Sequence, residues 1–165
     1  MYVLDATPLI YLAKAESLDV LDAFDTVTTQ GVHDEVVVRG KRADAPDARR
    51  IETHDPEVVE VPRNETYERI SEDDGLSDTD AGVLALADAK DGTAVMDEKR
   101  GRTVAKVEGI EVRGTAYLLL SSVKSGENGA EEARETLDRM VDAGWYCSTS
   151  FYAKILERLE KLEGE

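Results

Sequence analysis

Cysteine, histidine and long apolar runs are scarce in this chain of 165 residues. The single cysteine, Cys147, excludes an internal disulfide framework and argues against a thiolate zinc site. The two histidines, His33 and His54, are too few and too far apart to predict a histidine metal cluster. No apolar stretch is long enough to span a membrane, and no basic region precedes the first apolar run as it would in a signal peptide. We therefore expect a cytoplasmic protein without a membrane partner.

Basic residues are also in short supply, since 20 lysines and arginines face 36 acids for a net charge of −16. The acids are spread along the whole chain, beside many Ala, Val and Thr residues and few aromatics. This pattern favours a protein adapted to a salt-rich, halophilic cytoplasm, where screening weakens self-repulsion. The alternative is an acidic surface that binds a basic partner. Both interpretations argue against a nucleic-acid binder of the usual, overall basic kind.

Strand-like and helix-like segments alternate along most of the chain, which indicates an α/β fold. We expect three layers, α/β/α, with a central parallel sheet and added C-terminal helices. We divide the chain into an α/β unit, residues 1–145, and a C-terminal helix, residues 146–165, that packs on or extends from the same domain. Trp145 and Tyr146 are expected to anchor the C-terminal helices in the core; the alternative is an exposed patch for a partner. The predicted strands are MYVLD, TVTT, TAVMD and IEVRG, and VVEVP is either a short strand or an extended segment.

Four acids occur where secondary structure should aim them inward or at one edge of the sheet. Asp5 and Asp97 each end a predicted strand, and the carboxyl ends of parallel strands meet at the same edge. Asp80 opens the clearest helix, LSDTDAGVLALADAK, on the face of its apolar residues, and Ser77 or Asp78 can cap that helix. Glu35 lies three residues from both Val32 and Val38, on a predicted inward face.

A cluster of these carboxylates has a definite chemistry. Four of them close together repel one another and resist ionisation, unless a bound cation dominates the site. Ligands that are all oxygen favour Mg²⁺ or Mn²⁺, which can activate water for hydrolysis of a phosphodiester. Because the chain has 36 acids, some of them will fall at strand ends by chance, and spacing alone does not decide the question.

Residues 1 to about 145 resemble the PIN-domain family of small metal-dependent ribonucleases. The matching segments are VLD ending at Asp5 with Thr7 two places on, Glu35 in GVHDEVV, Asp80 in LSDTDAGVLALA, and Asp97 in VMDEKRGR. The resemblance is closest to a branch with D-[DE]-K-x-x-R followed by G-T-x-x-x-L-L, here GTAYLLL. That branch often has Glu where this chain has Asp80, which keeps a carboxylate but shortens its reach.

The resemblance implies a PIN-like fold and a metal-dependent endoribonuclease, a hydrolase of phosphodiester bonds. It implies that Asp5, Glu35, Asp80 and Asp97 are both the catalytic residues and the ligands of Mg²⁺ or Mn²⁺. It implies RNA as substrate and, because the family often supplies the toxin of a toxin–antitoxin pair, an antitoxin protein as a candidate partner; a homodimer is also expected. The alternatives are an inert PIN-fold interaction module and a phosphohydrolase of another α/β fold. The haloacid-dehalogenase type of the latter needs a second Asp where this chain has Thr7.

For several residues near these acids, both a functional role and a purely structural role are consistent with the sequence. Arg100 and Arg102 belong to a basic cluster that can meet RNA phosphates or form a solvated helix face. Glu98 either joins the acidic site or is a solvated acid. Thr7 either hydrogen-bonds Asp5 or a metal-bound water, or caps a helix near its start.

Overall fold

The computed structural model describes residues 1–165 and contains one sheet of four parallel strands in the order β2-β1-β3-β4. The central strands β1 and β3 pair along their whole length, from Tyr2 with Thr93 to Leu4 with Val95. In both strands the second and third residues are apolar and buried, as expected for strands covered on both faces. The strands are β1 (Tyr2–Leu4), β2 (Thr26–Val27), β3 (Thr93–Val95) and β4 (Glu111–Arg113).

Ten α-helices, one 3-10 helix and one π-helix surround the sheet. They are α1 (Ala6–Lys14), the 3-10 helix (Leu18–Ala23), α2 (Gln30–His33), the π-helix (Asp34–Arg39), α3 (Gly40–Arg42), α4 (Pro46–His54), α5 (Glu65–Ser71), α6 (Asp78–Ala89), α7 (Lys99–Glu108), α8 (Thr115–Lys124), α9 (Ala130–Asp142) and α10 (Thr149–Glu163). None of the helices is both long and apolar enough to cross a membrane.

The helices form two layers with the sheet between them, so the predicted three-layer α/β/α fold is confirmed. In one layer α6 packs on β1 and β3 and contacts α5 and α7. Residues 81–87 of α6 are all buried, which is the pattern of a helix enclosed within a core. In the other layer α1 contacts α9, while α8, α9 and α10 contact one another. The C-terminal helices therefore complete this second layer, with Ile155 and Leu159 of α10 in the hydrophobic core.

The helical segment around Glu35 differs from its prediction. The expected inward face held Val32 and Val38, but the structure buries Val32, Val36 and Val37 and leaves Val38 38% exposed. The cause is the π-helix, whose wider turn adds a residue and shifts every side chain after it. Glu35 lies at the start of this turn and is exposed rather than directed into the core.

The structure decides one open alternative and corrects one expectation. VVEVP forms no regular strand and pairs through one isolated bridge, between Val58 and Thr28, which agrees with the alternative of an extended segment. Trp145 is buried as expected, with 5% of its surface exposed, but Tyr146 is 87% exposed and anchors nothing in the core. Residues 145–148 form the irregular connection between α9 and α10, in which Trp145 is buried and Tyr146 lies at the surface.

Candidate functional site at the carboxyl edge of the sheet

Asp5 lies at the carboxyl end of the central strand β1. Its backbone N–H donates to the carbonyl of Val95 at 3.0 Å, which extends the pairing of β1 and β3 by one residue. The hydroxyl of Thr28 donates to the carbonyl of Leu4 at 2.7 Å and fixes the same strand end from the β2 side. Only 6% of Asp5 is exposed, and it takes part in no salt bridge. A carboxylate in this position is costly unless something else compensates its charge.

Asp80 faces Asp5 from the first turn of α6. Its position is set by a capping box: the Ser77 hydroxyl accepts from the Asp80 N–H at 3.1 Å, and Asp80 Oδ2 accepts from the Ser77 N–H at 3.4 Å. Ser77 is therefore the cap of α6, one of the two residues expected there. The capping box holds Asp80 Oδ2, and Oδ1 stays free to interact with a ligand.

Glu35 and Glu98 complete an acid cluster around Asp5, which we define as Asp5, Glu35, Asp80 and Glu98. Both glutamates are exposed, and neither side chain forms a salt bridge. Their charges nevertheless act on Asp5, together with the charge of Asp80. Glu98 is the residue directly before α7, and the charge of Asp80 acts on it as well.

The electrostatics of the cluster favour protonation. Burial, followed by the negative charges of Asp80, Glu35 and Glu98, raises the pKa of Asp5 to about 7, against a partial opposing effect of the Ala6 N–H. Burial and the charge of Asp80 also raise the pKa of Glu98. Without a bound cation, the protein therefore holds a proton in this cluster near neutral pH, as crowded carboxylates are expected to do.

Asp97 does not join this cluster, although it was predicted as the fourth acid. Its Oδ1 accepts from the Thr115 N–H at 2.8 Å, and its Oδ2 accepts from the Thr115 hydroxyl at 2.6 Å and from Trp145 Nε1 at 3.2 Å. The carboxylate thus sits at the first turn of α8, on the β4 side of β3. The charge of Asp97 is not among those that act on Asp5. The role of Asp97 as a metal ligand stays a prediction.

The hydrogen bonds of Asp97 predict a structural cost when its charge is removed. Asp97→Asn should lower the free energy of unfolding by about 1–3 kcal/mol, because an amide nitrogen must then face one of three donors. Urea denaturation of the variant and of the wild type measures this difference. Thr115→Val is the matched variant, since it removes one of the same donors. If Asp97→Asn is as stable as the wild type, these hydrogen bonds do not hold β3 to α8.

The two arginines predicted to bind substrate have partners within the chain. Arg100 forms a two-point salt bridge with Asp73, in which its Nε donates to Asp73 Oδ1 at 3.0 Å. Arg102 Nη1 donates to the carbonyl of Met96 at 3.2 Å and forms no salt bridge. Arg100 would have to leave Asp73 to meet a phosphate, whereas Arg102 keeps most of its donors free. Both assignments stay predictions.

The donor set of the acid cluster fits a hard divalent cation. It offers carboxylate oxygens only, none of which forms a salt bridge with a lysine or arginine, and this is the chemistry that Mg²⁺ and Mn²⁺ prefer. In this conformation no three His, Cys, Asp or Glu side chains are close enough together to hold one ion. The exposed glutamates have the freedom to close that gap, whereas Asp5 and Asp80 are held by the fold.

The structure defines an α/β protein whose acidic site lies where open parallel sheets place their ligands. A family model described as a PIN domain matches residues 1–161. The chain therefore belongs to the PIN-domain family, which has a nuclease-type fold and typically uses divalent metal ions. No curated protein and no solved structure matches the chain.

Proposed function

We propose that the protein is an endoribonuclease that depends on Mg²⁺ or Mn²⁺ and hydrolyses RNA phosphodiester bonds at the acid cluster. The observation that carries the proposal is Asp5: a buried carboxyl at the carboxyl edge of the sheet, acted on by three other acids and by no base. Such crowding is unfavourable for the protein alone, and a bound cation relieves it. The family supports the same chemistry, since PIN domains are nucleases in general.

The proposed ligands are of two kinds: two are held in place by the fold, and two are exposed side chains that can move. Asp5 is fixed by the pairing of β1 with β3, and Asp80 is fixed by its capping box. Glu35 and Glu98 are exposed and can move to complete the coordination. We propose Glu98 as the fourth ligand in this geometry; Asp97 is held on the β4 side of β3 by Thr115 and Trp145 and keeps one acceptor position, on Oδ1. A divalent ion bound here would lower the pKa of a bound water and stabilise charge on the phosphoryl oxygens.

We expect Mn²⁺ to stabilise the folded protein, and we expect this stabilisation to depend on Asp5. At a free Mn²⁺ concentration tenfold above its dissociation constant, the wild type should gain about 1.4 kcal/mol, which corresponds to roughly 3–6 °C in Tm. Asp5→Asn should lose most of this gain because it removes a buried anionic ligand. Thermal melts with Mn²⁺ and with EDTA measure the shift, and Asp25→Asn, at the amino end of β2, is the matched control. An equal Mn²⁺ shift in wild type and Asp5→Asn would remove Asp5 from the site.

We include the biological role, the partners and the host of the protein in the same proposal. A role as the toxin of a toxin–antitoxin pair, an antitoxin partner, a homodimer, a halophilic host and a cytoplasmic location all rest on the sequence and on the family. A small gene for a basic or DNA-binding protein directly upstream would support the toxin role. A stability that rises steeply with KCl up to molar concentrations would support the halophilic origin.

A further inference from the structure

A pocket of about 470 Å³ lies beside the acid cluster, at the carboxyl ends of β3 and β4. Asp97 lines it, and Glu98, the next residue, belongs to the acid cluster. Adjacent strands of a sheet are about 4.8 Å apart, and β3 and β4 are the first and second strands from β1, so the pocket lies between one and two strand widths from Asp5. Its other lining residues combine two arginines with four aromatic rings: Arg102, Arg113, Tyr117, Trp145, Tyr146 and Phe151.

The aromatic side of the pocket presents rings to solvent. Tyr146 is 87% exposed and Phe151 is 42% exposed, and both line the same pocket. Behind them Trp145 is buried and held by its hydrogen bond to Asp97, and its ring centroid lies 6.4 Å from that of Phe151. The pocket therefore has a rigid aromatic base and exposed rings on which a flat group can stack.

The basic side of the pocket presents two guanidinium groups. Arg113 lies over the ring of Tyr117 at 5.3 Å and contacts Glu111, but it stays partly exposed. Arg102 reaches the pocket past Gly114, where a Cβ would lie 3.2 Å from Arg102 Nη1 and 2.9 Å from Asp97 Oδ1. A larger residue at position 114 would therefore displace both side chains. In a protein with a net charge of −16, two arginines beside exposed rings are a local exception.

We propose that this pocket binds a nucleotide of single-stranded RNA next to the bond at the acid cluster. A base stacks on Tyr146 and Phe151, and Arg102 and Arg113 hold the neighbouring phosphates. Stacking on aromatic rings with arginines along the backbone is how proteins bind single strands with little sequence preference. The arginines disfavour a basic peptide in the same place, although the protein as a whole is acidic. The position of this subsite relative to the cleaved bond rests on the proposed ribonuclease function.

The test measures binding without turnover. Fluorescence anisotropy follows fluorescein-labelled hexauridylate and hexaadenylate, both with 2′-O-methyl groups and in EDTA, at several KCl concentrations. Tyr146→Ala should weaken binding by about fivefold or more, because base–aromatic stacking contributes about 1–3 kcal/mol per base. Tyr146→Phe, which keeps the ring, should bind within about twofold of the wild type. Val107→Ala, at an 81% exposed position of α7 that does not line the pocket, should leave binding unchanged.

Each outcome decides the proposal. It is overturned if the wild type binds neither strand, which would leave the rings to a protein partner, or if Tyr146→Ala binds within twofold of the wild type. Folding does not confuse the result, because Tyr146 is almost fully exposed. Binding that depends on Tyr146 without any cleavage in Mn²⁺ would support this subsite and count against the ribonuclease. Cleavage in Mn²⁺ with RNA binding that does not depend on Tyr146 would support the ribonuclease and overturn this subsite.

Discussion

In buffer without divalent metal ions at pH 7 and above, the free energy of unfolding of Asp5→Asn should exceed that of the wild type by up to about 4 kcal/mol. The pKa of Asp5 is about 7 in the folded protein, whereas an Asp in an unfolded chain has a pKa of about 3.9. Each unit of difference corresponds to about 1.4 kcal/mol between the two protonation states. Asparagine keeps the size of the side chain and carries no charge at any pH, so it does not incur this cost.

The sign of the pH dependence follows from proton binding. Between about pH 4 and pH 7 the folded state holds a proton on Asp5 that the unfolded state has released, so the stability of the wild type falls as the pH rises. The contribution is complete below the unfolded pKa and is lost as the pH passes through the folded pKa. The difference between Asp5→Asn and the wild type should therefore be small at pH 4 and reach its maximum above pH 7.

Denaturant titrations at pH 4, 5.5, 7 and 8 with EDTA measure this difference. Carboxylates that do not interact with Asp5 contribute equally to both proteins, so subtraction leaves the contribution of Asp5 and of its interactions with Asp80, Glu35 and Glu98. Asp25→Asn is the control, because this acid is exposed and lies at the opposite edge of the sheet. A stability difference between Asp5→Asn and wild type that does not change with pH would show that Asp5 ionises normally.

The second large effect is on cleavage of RNA. Asp5→Asn should lower the rate by about a hundredfold or more, because a bound cation contributes several kcal/mol to stabilising the transition state and about 1.4 kcal/mol corresponds to a factor of ten. Glu98→Gln should cost at least tenfold in the same assay. It should not destabilise the ion-free protein, since its carboxylate has an unfavourable interaction with Asp80.

A comparison with Asp97→Asn separates the two neighbouring acids. If Glu98 is the ligand, Asp97→Asn should bind Mn²⁺ with nearly normal affinity and lose stability through Thr115 and Trp145. If Asp97→Asn loses Mn²⁺ binding and Glu98→Gln keeps it, the fourth ligand is the acid predicted from the sequence. In that case the carboxylate of Asp97, rather than that of Glu98, would have to turn toward Asp5 when the ion binds.

The placement of Asp5 and Asp80 could be predicted from sequence, because strand ends and helix starts are local signals. Asp5 follows an apolar run, and Asp80 follows a capping serine at the start of an apolar helix. Parallel strands bring their carboxyl ends to one edge, so two local signals become one site. This reasoning combines apolar periodicity, a helix cap and the topology of parallel sheets, and in the structure Asp5 directly follows β1 and Asp80 lies in the first turn of α6.

The direction of individual side chains could not be predicted in the same way. Asp97 and Glu98 are adjacent acids just past the end of β3, and the choice between them depends on Thr115 and Trp145, which are 18 and 48 residues further along the chain. The π-helix after His33 also has no clear sequence signal, yet it determines which face Glu35 occupies.

The most direct test of the ribonuclease is cleavage of a long single-stranded RNA in molar KCl with Mn²⁺, by wild type, Asp5→Asn and Asp25→Asn prepared identically. We expect the wild type and Asp25→Asn to cleave at the same rate, EDTA to stop both, and Asp5→Asn to be slower by about a hundredfold while remaining folded. Equal cleavage by wild type and Asp5→Asn would contradict the assignment of the acid cluster. No cleavage by the wild type on any RNA, despite Mn²⁺ binding that depends on Asp5, would contradict the enzyme and favour an inert module.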